Sequence, residues 1–221
     1  MARAGGWYNK DIKVKNCKIT APKAFRKSRG IEIENTCFTD AQETMWNCSR
    51  ISLKDVEING DYFAMNSRDI EADNLIVNGN YSFDGCRNIV IKNSKLLSKD
   101  AFWNCENVIV LNSYIEGEYL AWNSKNVKFI DCTIESLQGL CYVDKLVLEN
   151  CKCNNTNLAF EYADVDAGIN GDIISIFNPR SGHIRADGIG ELILEEELID
   201  IKKTNIECEN IGIKKSKPDW K

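Results

Sequence analysis

One histidine serves 221 residues, which excludes HExxH zinc sites, multi-histidine metal centres and any mechanism that needs two imidazoles. No apolar run approaches the roughly 18 residues needed to span a bilayer, and Met1 opens no signal-peptide pattern. Positive charge is not in surplus. Against 28 Lys and Arg stand 33 Asp and Glu, a net charge of −5, whereas nucleic-acid binders concentrate a basic face. GxGxxG, P-loop, GxSxG and CxxC elements are missing too, so nucleotide, serine-hydrolase and dithiol chemistry lack a foothold. These absences predict a cytoplasmic chain with no membrane or nucleic-acid partner and no cofactor. What is present, 43% hydrophobic and 28% charged residues, suits one folded domain.

The positive signal is an internal period. Apolar residues opening each short β-like run stand at Ile12, Ile31, Ile51, Ile70, Ile89, Val108, Val127, Leu146 and Val165. They recur at a fixed step of about 19 residues, lengthened by one between Ile31 and Ile51. A second apolar column follows two positions on, from Val14 and Ile33 to Phe129 and Leu148, with Lys, Glu or Asp between; that alternation marks a strand buried on one face. Four positions after each opening residue comes Asn or Asp (Asn16, Asn35, Asp55, Asn74, Asn93, Asn112, Asp131, Asn150), a residue type that tolerates left-handed bends. A further inward column runs from Ile19 through Phe38, Ile58 and Val77 to Ile134. The third run of each repeat, such as Phe102-Trp103-Asn104-Cys105, also reads as strand-like. Three runs and three bends in each repeat make one coil of a β-solenoid, and no stretch has the 3.6 period of a helix.

The expected fold is therefore all-β, a single-stranded parallel β-helix, right-handed by the chirality of parallel crossovers. Regular coils are expected over residues 1–164, rising about 38 Å at the inter-strand spacing, and irregular terminal coils and a cap of the same domain over 165–221. The Asn/Asp ladder resembles the inward ladder of pectin-lyase-like right-handed parallel β-helices. Segments such as Gly60-Asp61-Tyr62-Phe63-Ala64-Met65-Asn66-Ser67, Ser98-Lys99-Asp100-Ala101-Phe102-Trp103-Asn104-Cys105 and Asn178-Pro179-Arg180-Ser181-Gly182 look like an uncharacterised bacterial family with that fold. The resemblance implies a fold and no established reaction. It also implies coils ahead of the first repeat found here, so an open N-terminal coil is expected to favour a homo-oligomer.

Ten cysteines fall largely into columns: Cys17, Cys132 and Cys151 in one, and Cys48, Cys86 and Cys105 in another that alternates with Ser67 and Ser124. Packing of small side chains inside the coil explains this better than disulfides or metal, and no metal ligand is assigned. Two function classes remain. The first is a non-catalytic binding or scaffold protein for a carbohydrate or protein ligand. The second is a carbohydrate-active protein, an enzyme of glycoside-hydrolase or polysaccharide-lyase type. It would use Asp84 and Asp100 as the acid–base pair and Trp46, Tyr62, Tyr81, Trp103, Tyr119 and Trp122 as sugar-stacking residues. A calcium lyase would need Asp clusters beside Arg68 or Arg87, and these are missing. His183 has no nucleophile partner in the sequence.

Overall fold

The structure is a computed structural model that describes residues 5–218. Each coil leads with a strand on what we term the first side. These strands begin at Lys10, Arg29, Ser49, Arg68, Arg87, Glu106, Lys125, Asp144, Asp164, Ser181 and Thr204 and define coils 1–11. Second-side strands follow, as one bent run with the first in coils 2–4 (Arg29–Asp40, Ser49–Asn59, Arg68–Asn78) and again in coils 8, 10 and 11 (Asp144–Cys153, Ser181–Ile193, Thr204–Lys215). Every strand pairing among the described residues is parallel and joins successive coils, so the protein is a β-solenoid. The register repeats the sequence period, with Ile12 opposite Ile31 and Val127 opposite Leu146, and the one longer step sets Ile31 opposite Ile51. The only helix among these residues is the 3₁₀ turn Ile201–Lys203, and no helix is long and apolar enough to cross a membrane.

The core is a set of ladders. Alternation turns Ile31, Ile51, Ile70 and Ile89 inward on the first side, and Phe38, Ile58, Val77 and Leu96 inward on the second, all essentially buried. Stacking like on like from coil to coil makes one continuous apolar column.

At the bend between these sides, Asn35, Asp55, Asn74, Asn93 and Asn112 have φ from 44° to 54°. This left-handed conformation strains most L-residues and suits Asn and Asp, which explains the column. Its side chains are at the surface, however, and not inward as the resemblance implied. A left-handed residue at a convex corner carries its Cβ outside the corner, and the carboxamides then bond to one another. Asn35 Nδ2 donates to Asn16 Oδ1 at 2.7 Å and Asn112 Nδ2 to Asn93 Oδ1 at 2.8 Å.

The third side is not a strand. Left-handed residues recur at every second position there, as at Glu43 (55°), Met45 (58°) and Asn47 (57°) in one coil. Their N–H groups alternate between neighbours: Glu43 donates to Asp61 O, Met45 back to Ala24 O and Asn47 forward to Met65 O, all within 2.9 Å. This backbone lets Phe102 and Cys105, three positions apart, both lie buried, which a flat strand forbids. No β-branched residue occupies a left-handed position among the described residues, in keeping with its steric cost.

All ten cysteines are free, seven of them buried, with Cys17 exposed and Cys37 and Cys208 half-buried. Their columns do more than fill space. Ser67 Oγ donates to Met45 O at 2.7 Å and accepts from Cys48 N at 2.8 Å; Cys86 Sγ donates to Ala64 O at 2.8 Å, and Cys105 Sγ to Phe83 O at 3.0 Å. Ser and Cys therefore alternate because both are small donors that satisfy a buried backbone carbonyl of the preceding coil. Burial pushes the Cys48 thiol up to about 11 and the Cys141 and Cys153 thiols to about 12, so these are not nucleophilic thiolates.

Beyond residue 164 the coils change length without losing their stacking. Val165 pairs with Gly182, a step shorter than the regular repeat, and Gly182 pairs with Thr204, a step longer than it.

Candidate functional site

A concavity of about 980 Å³ forms an open groove along the outer face of the first side, from coil 1 to coil 8. Its wall is a second bend column, one position ahead of the opening apolar residues. In coils 4–7 this column is Asp69, Asn88, Asn107 and Asn126, all left-handed with φ between 52° and 60°. They form a one-way ladder: Asn126 Nδ2 donates to Asn107 Oδ1 at 3.1 Å, Asn107 to Asn88 at 3.0 Å and Asn88 to Asp69 at 2.9 Å. Each carboxamide thereby spends one N–H, leaving a second for a ligand.

The floor is made by outward residues of the first-side strands. In coils 1 and 2 it is charged and self-paired, with Lys13 Nζ 2.8 Å from Glu32 Oε2, and in the wall above it Arg50 of coil 3 reaches Asp11 of coil 1 at 2.8 Å. In coils 5 and 6 it is aliphatic, with Val90 38% and Ile109 39% exposed, bordered by half-buried Leu111 and Ile130. Lys128 is tied to Glu149 at 2.6 Å. Four cations (Lys13, Arg50, Lys128, Lys145) and four anions (Asp11, Glu32, Asp69, Glu71) line the groove, so it carries no net charge. Coils 5 and 6 offer carboxamides beside an apolar floor, and in coil 7 Asn126 stands beside the paired Lys128.

The residues singled out from sequence lie on the third side. Trp46, Tyr62, Tyr81, Trp103, Tyr119 and Trp122 face outward and are half-buried. From Tyr62 they form a continuous ladder that extends to Tyr142 and Tyr162. Tyr62 and Tyr81 stack at 4.9 Å with planes 5° apart, so those rings turn faces to each other and edges to solvent. The Arg26 guanidinium covers the Trp46 ring at 4.1 Å. The indoles of Trp46 and Trp103 each donate to a backbone carbonyl of the next coil, Tyr62 O and Tyr119 O, at 2.6 Å. Much of the strip's stacking surface is thus occupied within the protein.

Asp84 is half-buried and accepts from Asn104 Nδ2 at 3.0 Å. Asp100 is 1% exposed, with Oδ2 lacking a hydrogen-bond partner, and burial raises its carboxyl above the usual Asp range despite Lys99. It is close enough to feel the charge of Asp84, but its carboxyl lies beneath the surface while Asp84 lies at it. Arg68 and Arg87 are exposed and pair loosely with Asp69 (3.8 Å) and Glu106 (3.6 Å). His183 Nε2 lies 3.3 Å from Glu207 Oε1. Among the described residues no three His, Cys, Asp or Glu side chains converge as a metal site.

The groove wall escapes a sequence reading that follows aromatics and acids, although it leaves a signal there. Asp11, Gly30, Arg50, Asp69, Asn88, Asn107, Asn126 and Lys145 recur at the same interval as the apolar columns. The aromatic residues lie on a different side of the coil.

No curated protein and no solved structure matches the chain. A family model described as "Protein of unknown function (DUF3737)" matches residues 1–207. The eleven-coil solenoid with its carboxamide-walled groove therefore belongs to a member of the DUF3737 family.

Proposed function

We propose that the protein is a non-catalytic binding module that takes a neutral, elongated carbohydrate along the first-side groove. The observation carrying this reading is the middle of that groove, where Asn88, Asn107 and Asn126 stand beside exposed Val90 and Ile109. Carboxamides exchange hydrogen bonds with hydroxyl groups, and an aliphatic floor suits the C–H face of a pyranose ring. Net neutrality disfavours polyanions and polycations. The buried Asp100 carboxyl, with its raised pKa, lies on another side of the coil, and it does not form an acid–base pair across the groove.

Affinity electrophoresis in gels holding neutral or acidic polysaccharides tests this, alongside a reducing-sugar assay. The expected result is retardation by a neutral polysaccharide without release of reducing ends. Ile109→Lys should abolish retardation and Trp103→Ala should leave it intact. The opposite pattern would move the site to the aromatic strip, and release of reducing ends would make the protein an enzyme.

A further inference from the structure

Resting on that reading, we infer that the ligand is an extended β-1,4-linked glycan lying parallel to the solenoid axis with one sugar on each coil. The wall presents the same group once per coil, at Asn88, Asn107 and Asn126, and the floor runs alongside in the same step. Adjacent parallel strands are about 4.8 Å apart, so a ligand that places one unit on each successive coil must advance near that distance per unit. An extended peptide advances only about 3.3 Å per residue and falls out of step within two coils. A β-1,4-linked pyranose chain is straight and ribbon-like, with a rise per sugar close to one coil; each sugar is turned half a turn from the last, so the carboxamide row meets the two hydroxyl-bearing edges in alternation while C–H faces lie on the floor. An α-1,4 glucan curls, and its successive sugars turn away from a straight row.

The ends of the row are marked. The carboxamide ladder starts on the Asp69 carboxylate, and the next coil after Asn126 brings Lys145 into the same column. Between these charges lie three carboxamide positions, in coils 5, 6 and 7; the floor beside them is Val90 and Ile109 in the first two and the stem of the paired Lys128 in the third.

Isothermal titration calorimetry with cello-oligosaccharides of two to six sugars, and malto-oligosaccharides of the same lengths, decides the matter. Affinity should rise to three or four sugars and then level off, with maltohexaose weaker than cellohexaose by about tenfold or more. Asn107→Gly, which keeps the left-handed backbone (φ 60°) and removes the carboxamide, should weaken cellohexaose by about tenfold. Ile109→Ser should act in the same direction. Equal binding of the two series, or no dependence on length, would overturn the linkage and the subsites while leaving a groove that binds glycans. Cellohexaose binding unchanged in both variants would overturn the groove itself. Binding of neither series would overturn both.

Discussion

Asp100 is the residue whose chemistry is least at ease with its place. A carboxylate 1% exposed, with one oxygen unpartnered, costs the fold the hydration it had in the unfolded chain. Because its folded pKa is raised, its contribution to stability is greatest below the ordinary Asp value of 3.8 and is lost as pH rises through the folded value. Asp100→Asn removes the charge at nearly constant shape. It should raise the melting temperature at pH 7 by roughly 2–4 °C, about 1 kcal/mol for a chain of this size. The gain should shrink as the pH falls toward 4, and an equal shift at both pH values would show that burial of charge is not the cause. By contrast, the exposed pairs Lys13–Glu32 and Lys15–Glu34 contribute little and fade with salt.

The Cys/Ser column of the third side carries the next scale. Ser67 holds Met45 O and receives Cys48 N, so its buried hydroxyl satisfies two backbone groups of the preceding coil. Ser67→Cys, the substitution the column itself makes at Cys86, should be nearly neutral in urea denaturation. Ser67→Ala should cost roughly 1–3 kcal/mol. If both changes cost the same, size and not hydrogen bonding sets the column. This element also shows where sequence reading succeeds and where it stops. Strands of the first and second sides are legible because period-2 alternation is a direct image of burial, as at Ile51-Ser52-Leu53. The third side reads falsely as a strand because its recurring left-handed residues break the two-residue pattern: Phe102 and Cys105 both point in. The bend Asn ladder is legible as a left-handed corner, but letters alone do not tell the convex side of a corner from the concave one. The candidate site suffers similarly, since Asn88 and Asn107 look like ordinary bend residues until the groove beside them is seen.

At the scale of the whole molecule, each coil rests on its two neighbours, and stability is a sum of nearest-neighbour terms. Interior coils bury their ladders on both sides. In the first described coil Ile12, Val14 and Ile19 are only partly covered, as are Ile206, Cys208 and Ile211 in coil 11. Native-state hydrogen exchange should therefore be slowest around coils 4–8 and grade outward, with Lys10–Lys15 and Thr204–Lys215 exchanging first. Uniform protection along the chain would mean that the solenoid opens all at once.

The constant length of the regular coils has a consequence for how such a protein can change. Adding or removing one complete coil leaves every remaining side chain on its own side of the solenoid. A duplication of that length would lengthen the row of carboxamides by one step, while an insertion or deletion of another length would have to be absorbed at a bend or would shift the columns that follow. The groove is in this sense a ruler graduated in coils, and lineages could tune the length of what they hold by copying a single line of it.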